Sequence, residues 1–189
     1  MINNKIRTLD VLISILLLII FFPILVLISF LILIFYGRPI IYRQFRVGYK
    51  GKKFIIFKFR TMNNNLSDNE SLRLTYLGKI LRRTSLDELP QIINVLIKDM
   101  SLVGPRPLPK NIEKKINSNL RKKRRKILPG ITGMSQINFS GKKRKLSDKI
   151  VLDLNFVNNY TLSNYIKILL KTPYILIIRL LKNKSSIIK

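Results

Sequence analysis

Residues 77–107 read LGKILRRTSLDELPQIINVLIKDMSLVGPRP, and the changes of character within this stretch decide how the chain is organised. Leu77, Ile80 and Leu81, with Leu72 before them, are spaced as the core face of one helix, and Leu89, Ile93, Leu96 and Ile97 as that of another. Residues 101–109 then bring three prolines, which withhold backbone donors, so regular helix and interior strand are both denied to them and a rigid loop presenting Arg106 is expected. Between the helical patterns stand two adjacent carboxylates, Asp87 and Glu88, just after Arg82 and Arg83. The chain has nine Asp plus Glu against 36 Lys plus Arg, so an acid pair framed by arginines is not a random solvated patch. It has the makings of a nucleophile and a metal ligand working on a phosphate. A plainer reading exists for Glu88, because Ser85-Leu86-Asp87-Glu88 has the form of a capping box. That box leaves Asp87 without an explanation, and Pro90 would interrupt the first turn that it starts.

Composition narrows the chemistry. With 189 residues the chain can bury one modest core. It contains no histidine and no cysteine, which excludes Ser-His and Cys-His nucleophiles, thiolate or imidazole zinc sites and disulfides. Acids, bases and hydroxyls remain. A metal would then be a hard cation held by carboxylate and phosphate oxygen, magnesium or else manganese. The formal charge of +27 implies an anionic partner: nucleic acid, a phosphorylated substrate or an acidic membrane surface. A hydrophobic content of 47% selects the membrane over nucleic acid, because a soluble nucleic-acid binder has no use for so long an apolar run.

That run is residues 11–36, which carry no charged side chain. As a straight helix they would reach roughly 39 Å at about 1.5 Å per residue, enough to cross a hydrocarbon core of about 30 Å. Pro23 lies near the middle and should bend the helix. Lys5 and Arg7 precede the run, Arg38, Arg43 and Arg46 follow it, and all but one unit of the net positive charge lies beyond Tyr36. The positive-inside rule therefore puts the bulk of the chain on the cytoplasmic side. On charge alone two topologies stay open, a plain spanning helix and a re-entrant hairpin with Pro23 at its apex. No small-residue cleavage site follows the run, which disfavours a signal peptide.

Residues 40–47 and 53–61 read as two strands of a hairpin around Gly48-Tyr49-Lys50-Gly51. The period of two sends Lys58 and Arg60 to one face and Phe57 and Phe59 to the other, so two cations project together as a phosphate clamp requires. An ordinary strand with a solvated basic face is the alternative. Residues 63–69 form a polar loop, with a helix expected from about Glu70. A further helix is expected over 110–127, its run RKKRRK being a solvated face or a contact to anionic headgroups. Pro129-Gly130-Ile131-Thr132-Gly133 reads as a turn whose backbone can approach a ligand closely, and 141–145 as a basic loop. Over 152–181, apolar residues alternate with Lys167, Lys171 and Arg179, as expected of an amphipathic helix lying in the headgroup layer.

Taken together and in order, RTLD before the apolar run, QFRVG, KFRTM, LRRTSLDELPQIINVLIKDMSLVGPRP, PGITG with its QIN, and KILLKT resemble the bacterial sugar transferases of the small monotopic phosphoglycosyl transferase family. The likeness covers nearly the whole chain. It implies transfer of a phosphosugar from a UDP-sugar to a polyprenyl (undecaprenyl) phosphate with release of UMP, the first membrane step of a surface glycan. By the resemblance, Asp87 is the nucleophile that forms an aspartyl-phosphosugar intermediate and Glu88 helps hold magnesium. Arg82 and Arg106 match positions that look like phosphate contacts, and Lys58 and Arg60 lie in another matching motif. The resemblance also tips the topology towards the re-entrant hairpin, giving a mainly α fold with a short β-hairpin: residues 1–36 as the membrane segment, and 37–189 as a catalytic domain with interfacial helices on the cytoplasmic face of the bacterial inner membrane. Anionic lipids are expected as further partners, nucleic acid is not, and a homodimer is left open.

Some positions depart from the family pattern. Phe22-Pro23 replaces a usual Ser-Pro at the bend, Leu128 a frequent basic residue and Met134 a frequent Trp, while Phe139 and Ser140 are extra. These put the identity of the donor sugar in doubt. Two competing readings remain at this point: a non-catalytic basic membrane adaptor, and direct transfer in a ternary complex with Asp87 as a base.

Overall fold

A computed structural model describes residues 3–63, 73–138 and 145–184. The expected polar loop beyond Asn63, the basic loop over 141–145 except its last residue, and the extra Phe139 and Ser140 lie outside them, while the helix expected to run on from about Glu70 is broken before Tyr76, because Leu74 pairs with Met62 in a β-bridge and Thr75 is extended. Helix α1 spans Asn4–Tyr36, with Pro23 inside it. Asn3 starts the helix, its side chain accepting from the backbone N–H groups of Lys5 at 3.0 Å and Ile6 at 3.4 Å. Gly37, at φ 67°, ends it, a conformation that costs glycine nothing. Both ends of α1 pack on the rest of the protein. Arg7 donates to the carbonyls of Val95 and Leu96, and Ile28 and Ile32 are buried with Phe59 and Leu81. Between them the surface is bare hydrocarbon, with Ile19, Ile20 and Phe22 each more than half exposed. By length and composition α1 can cross a membrane.

The hairpin forms where the alternation placed it. Strand β1 (Ile41–Val47) runs antiparallel to β2 (Lys53–Phe59), from Ile41 opposite Phe59 to Val47 opposite Lys53. A second, parallel pair joins β3 (Ser101–Val103) to β4 (Gly130–Thr132). This corrects the loop expected over 101–109: its first proline is Pro105, so the three residues of β3 keep their donors and lie buried. It also corrects the turn expected at PGITG. A Cβ on Gly130 would stand 2.0 Å from the Gly104 nitrogen, and one on Gly104 would stand 2.4 Å from the Leu128 carbonyl oxygen. The glycines let two backbones touch each other.

Helix α2 (Tyr76–Thr84) is followed by a 3-10 turn at Leu86–Glu88 and by α3 (Gln91–Leu96). The capping box does not form. Ser85 sits at φ 61° and its side chain caps nothing, while the Leu86 carbonyl, which a continuous helix would have offered to Pro90, accepts from Leu89 at 3.2 Å. Pro90 stands just before α3, where a missing N–H costs nothing. The later start also changes the buried face: Ile92 and Val95 are in the core, whereas Ile93 and Ile97 are 46% and 55% exposed. A polar residue sets this rotation. Asn94 lies on the edge of β2, accepting from the Phe57 N–H at 3.1 Å and donating to the Ile55 carbonyl at 2.7 Å. Ile80 of α2, also expected inside, is 42% exposed, while Leu81 is buried.

The single helix expected over 110–127 is two, α4 (Lys110–Lys114) and α5 (Ser118–Arg124), the second capped by the Asn117 side chain. After β4 come α6 (Met134–Asn138), α7 (Leu146–Asn158) and α8 (Leu162–Lys184). The main core gathers Ile6 of α1, Ile56 of β2, Val95 of α3, Val103 of β3, Phe156 of α7 and Tyr165 of α8. At its centre the buried Asp10 accepts from the Tyr165 hydroxyl at 2.6 Å, the Leu102 N–H at 2.8 Å and the Ser101 hydroxyl at 3.0 Å. One carboxylate thus pins α1, β3 and α8 together.

Candidate active site

Several segments meet at one cavity of about 1160 Å³, among them the inner face of the hairpin, the 3-10 turn, the loop after β3, and the facing sides of α1 and α8. Among the described residues its lining holds eight Lys or Arg against two carboxylates, Asp87 and Glu88. The field inside therefore favours a multiply charged anion. The other wall is apolar, with Leu17 from α1 and Leu169, Ile175 and Leu176 from α8.

Glu88 is the electrostatic hub. Its Oε1 accepts from Lys58 Nζ at 2.6 Å and from Arg106 Nη2 at 2.6 Å, while Oε2 stands 3.5 Å from Arg106 Nη1. Burial raises the Glu88 carboxyl, but the charges and hydrogen bonds of Arg106 and Lys58 outweigh it and hold the group at about 2. Asp87 is only 8% exposed, and among the described residues its carboxylate makes no hydrogen bond or ion pair. Burial, and then the neighbouring Glu88 charge, push it up to about 6 against the pull of Lys58, Arg82 and Arg106. Two adjacent carboxylates are thus driven apart, one held ionised and bridged to cations, the other pushed up towards neutrality without a hydrogen bond or ion pair among the described residues. That division suits a base or a nucleophile beside a fixed electrostatic partner.

All six residues expected at the site line the cavity, in different employment. Lys58 and Arg106 are on Glu88. The exposed Arg82 donates from Nε to Thr61 Oγ1 at 3.0 Å. Arg60 faces inward like Lys58, but its guanidinium is spent on the C-terminus of α1, donating to the carbonyls of Gly37 at 2.7 Å, Arg38 at 3.1 Å and Tyr36. No basic residue stands in the last turn of α1, so Arg60 supplies the cation that the helix end favours. Sequence reasoning missed Gln44 and Arg46, which the same alternation puts on the inner face of β1, and the side chains of Thr132 at the end of β4 and of Ser135 and Gln136 in α6. For the first two the signal was present in the strand period. Arg179 also lines the cavity and donates to the carbonyls of Arg82 at 2.7 Å and Arg83 at 2.6 Å; nothing local in the sequence announces that contact. The departures at Leu128 and Met134, expected near donor contacts, fall elsewhere: Leu128 is buried, Met134 packs against the main core, and neither lines the cavity.

For a divalent ion, the carboxylates that line the cavity among the described residues are those of Asp87 and Glu88, next to a space that attracts phosphate. Hard oxygen donors of that kind fit magnesium completed by substrate phosphate and water.

The sequence family described as bacterial sugar transferase matches residues 3–179. A UDP-glucose:undecaprenyl-phosphate glucose-1-phosphate transferase of Klebsiella pneumoniae is 36% identical over 178 residues, covering 87% of this chain and 38% of that protein. An uncharacterized sugar transferase, EpsL, of Bacillus subtilis is 40% identical over 147 residues, covering 72% of this chain and 69% of that one. The exopolysaccharide production protein ExoY of Sinorhizobium fredii is 33% identical over 191 residues, covering 88% and 82%. The chain thus spans well under half of the Klebsiella relative and most of ExoY.

Proposed function

The chain belongs to the bacterial sugar transferase family, and from that premise we propose that it moves a phosphosugar from a UDP-sugar to undecaprenyl phosphate, beginning a surface glycan on the cytoplasmic face of the bacterial membrane. The observation that carries this is the pairing of an unattached Asp87 with a cation-bound Glu88 in a cavity that has one basic and one apolar wall. An Asp87 carboxylate oxygen attacks the sugar-bearing phosphorus, the bond from that phosphorus to the UMP oxygen breaks, and UMP leaves with the electron pair. An oxygen of the lipid phosphate then attacks the same phosphorus and releases the aspartate. Lys58, Arg82 and Arg106 offset the charge that builds on the phosphoryl oxygens. Glu88 Oε2 and the diphosphate would hold magnesium, whose part is to neutralise that same charge. The apolar wall from Leu17, Leu169 and Leu176 fits the first isoprene units of the acceptor. An adaptor without catalysis draws no support from the relatives.

Topology belongs to the same proposal. Both ends of α1 return to the same domain, Arg7 onto α3 and Ile32 beside Phe59, which favours insertion bent at Pro23 over a straight crossing. Helix α8 exposes Leu170, Tyr174, Ile177 and Leu181 and fits the headgroup layer beside anionic lipids. Single cysteines at residues 4 and 40 of this cysteine-free chain should label from one side only; labelling from opposite sides would rule out the hairpin. The reaction is tested by UMP release from a panel of UDP-sugars with undecaprenyl phosphate and magnesium. Trapping a phosphosugar on the protein without acceptor separates the covalent route from direct transfer, and near-normal turnover by Asp87→Asn would overturn the assignment of the nucleophile.

A further inference from the structure

The loop that carries Arg106 is anchored in an unusual way. Prolines at 105, 107 and 109 leave it few donors, yet each carbonyl from 105 to 108 accepts a hydrogen bond. The Gly130 N–H donates to Pro105 at 3.1 Å, Arg124 Nη2 to Arg106, Arg46 Nη1 to Pro107 at 3.4 Å and the Val47 N–H to Leu108 at 3.4 Å. Of these four donors, Arg124 is the one that holds Arg106 itself. Its side chain is 5% exposed, and its Nε donates at 2.8 Å to Oδ2 of Asp153, whose side chain is 2% exposed. Arg124 belongs to α5 and Asp153 to α7, so the pair ties two helices to the main chain of one loop residue. The side chain of that residue is the one that grips Glu88.

We infer that the Arg124–Asp153 pair is a brace that aims Arg106 at the phosphate site, which makes both of them positioning residues. A guanidinium so buried keeps its place only beside a carboxylate. With Asp153 charged, Arg124 presents its fork in two directions, Nε to the carboxylate and Nη2 to the Arg106 carbonyl. Arg106 then projects from a backbone that cannot swing, and its reach to Glu88 is fixed before any ligand arrives. The rest of the basic run shows the contrast: Lys122 and Lys123 are exposed to solvent, and Arg125 pairs with Glu113 at 2.9 Å without touching the cavity.

The inference rests on the reading of the cavity as a diphosphate site, and a binding measurement tests it apart from turnover. Inorganic pyrophosphate is titrated calorimetrically into the full chain in detergent, for wild type, Asp153→Asn, Arg106→Gln and the double variant. Asp153→Asn should weaken binding about tenfold, and the double variant should bind no more weakly than Arg106→Gln alone, because neighbours in one network are not additive. Glu113→Gln, which breaks the neighbouring pair, should lower the unfolding temperature and leave pyrophosphate affinity unchanged. Equal affinity for Asp153→Asn and wild type, or losses that multiply in the double variant, would overturn the brace. Should Asp153→Asn fail to fold, Arg124→Lys takes its place in the same cycle; its single ammonium can serve the carboxylate or the carbonyl but not both, so an intermediate loss is expected. If no UDP-sugar releases UMP while the coupling persists, the reaction is wrong and the brace stands.

Discussion

Asp87 and Glu88 are adjacent in sequence and chemically opposite, and the contrast has measurable consequences. Asp87 is raised from 3.8 to about 6, above its value in the unfolded chain, so its protonated form favours the fold. That contribution is fully present below about pH 4 and is lost as pH rises through 6. Glu88, lowered from 4.5 to about 2, contributes stability above about pH 4.5 that is lost as pH falls through 2. Two predictions follow at this scale. Turnover should rise with pH through a midpoint near 6, since only the ionised Asp87 can attack. The variant Asp87→Asn should lose activity by at least about a hundredfold and yet unfold later than wild type at pH 7.5, by about 1–3 kcal/mol. That advantage should vanish near pH 4, where wild-type Asp87 is itself neutral. Thermal melts of both proteins at the two pH values decide it; equal melting at pH 7.5 would mean that the buried carboxylate is not under strain.

At the scale of the elements, the site depends on two joints that are narrow for different reasons. The β3–β4 joint is steric: with Gly130 and Gly104 in backbone contact, Gly130→Ala must push the strands apart. A loss of about 3 kcal/mol or more is expected, read as a lower midpoint of denaturant unfolding. A wild-type midpoint would show that β4 can yield. The α3–β2 joint is polar. Asn94 satisfies both a donor and an acceptor of β2, and Asn94→Ala leaves those buried groups without partners, at about 1–3 kcal/mol. Asn94→Asp can still accept but, when ionised, turns a buried charge on the Ile55 carbonyl, and it should lose at least as much as Asn94→Ala. Because β2 carries Lys58 and α3 follows the dyad, the Asn94 variants should also weaken pyrophosphate binding, whereas Ile97→Ser on the exposed face should alter neither stability nor binding.

At the scale of the molecule, a basic domain hangs on one long apolar helix. Replacing Ile19 and Phe22, 68% and 63% exposed, by lysine would cost almost nothing in water but about 2.5–3.5 kcal/mol each near the centre of a bilayer. The double variant should therefore leave the membrane fraction in vesicle flotation; flotation as complete as wild type would show that this surface does not enter lipid. The sequence by itself determined much of this. The uncharged run, the strand alternation that aimed Lys58 inward, and the acid pair among arginines are local patterns, fixed by spacing and charge along the chain. Tertiary structure decided which cations reach Glu88, that Arg60 and Arg179 serve helix ends, that Arg124 is a buried partner of Asp153 instead of one more solvated charge, and which face α3 buries. Those choices depend on what stands opposite each residue, often dozens of positions away, where spacing along the chain carries no information. Asn94 against β2 and Gly130 against Gly104 are contacts between segments, and only packing brings their two sides together.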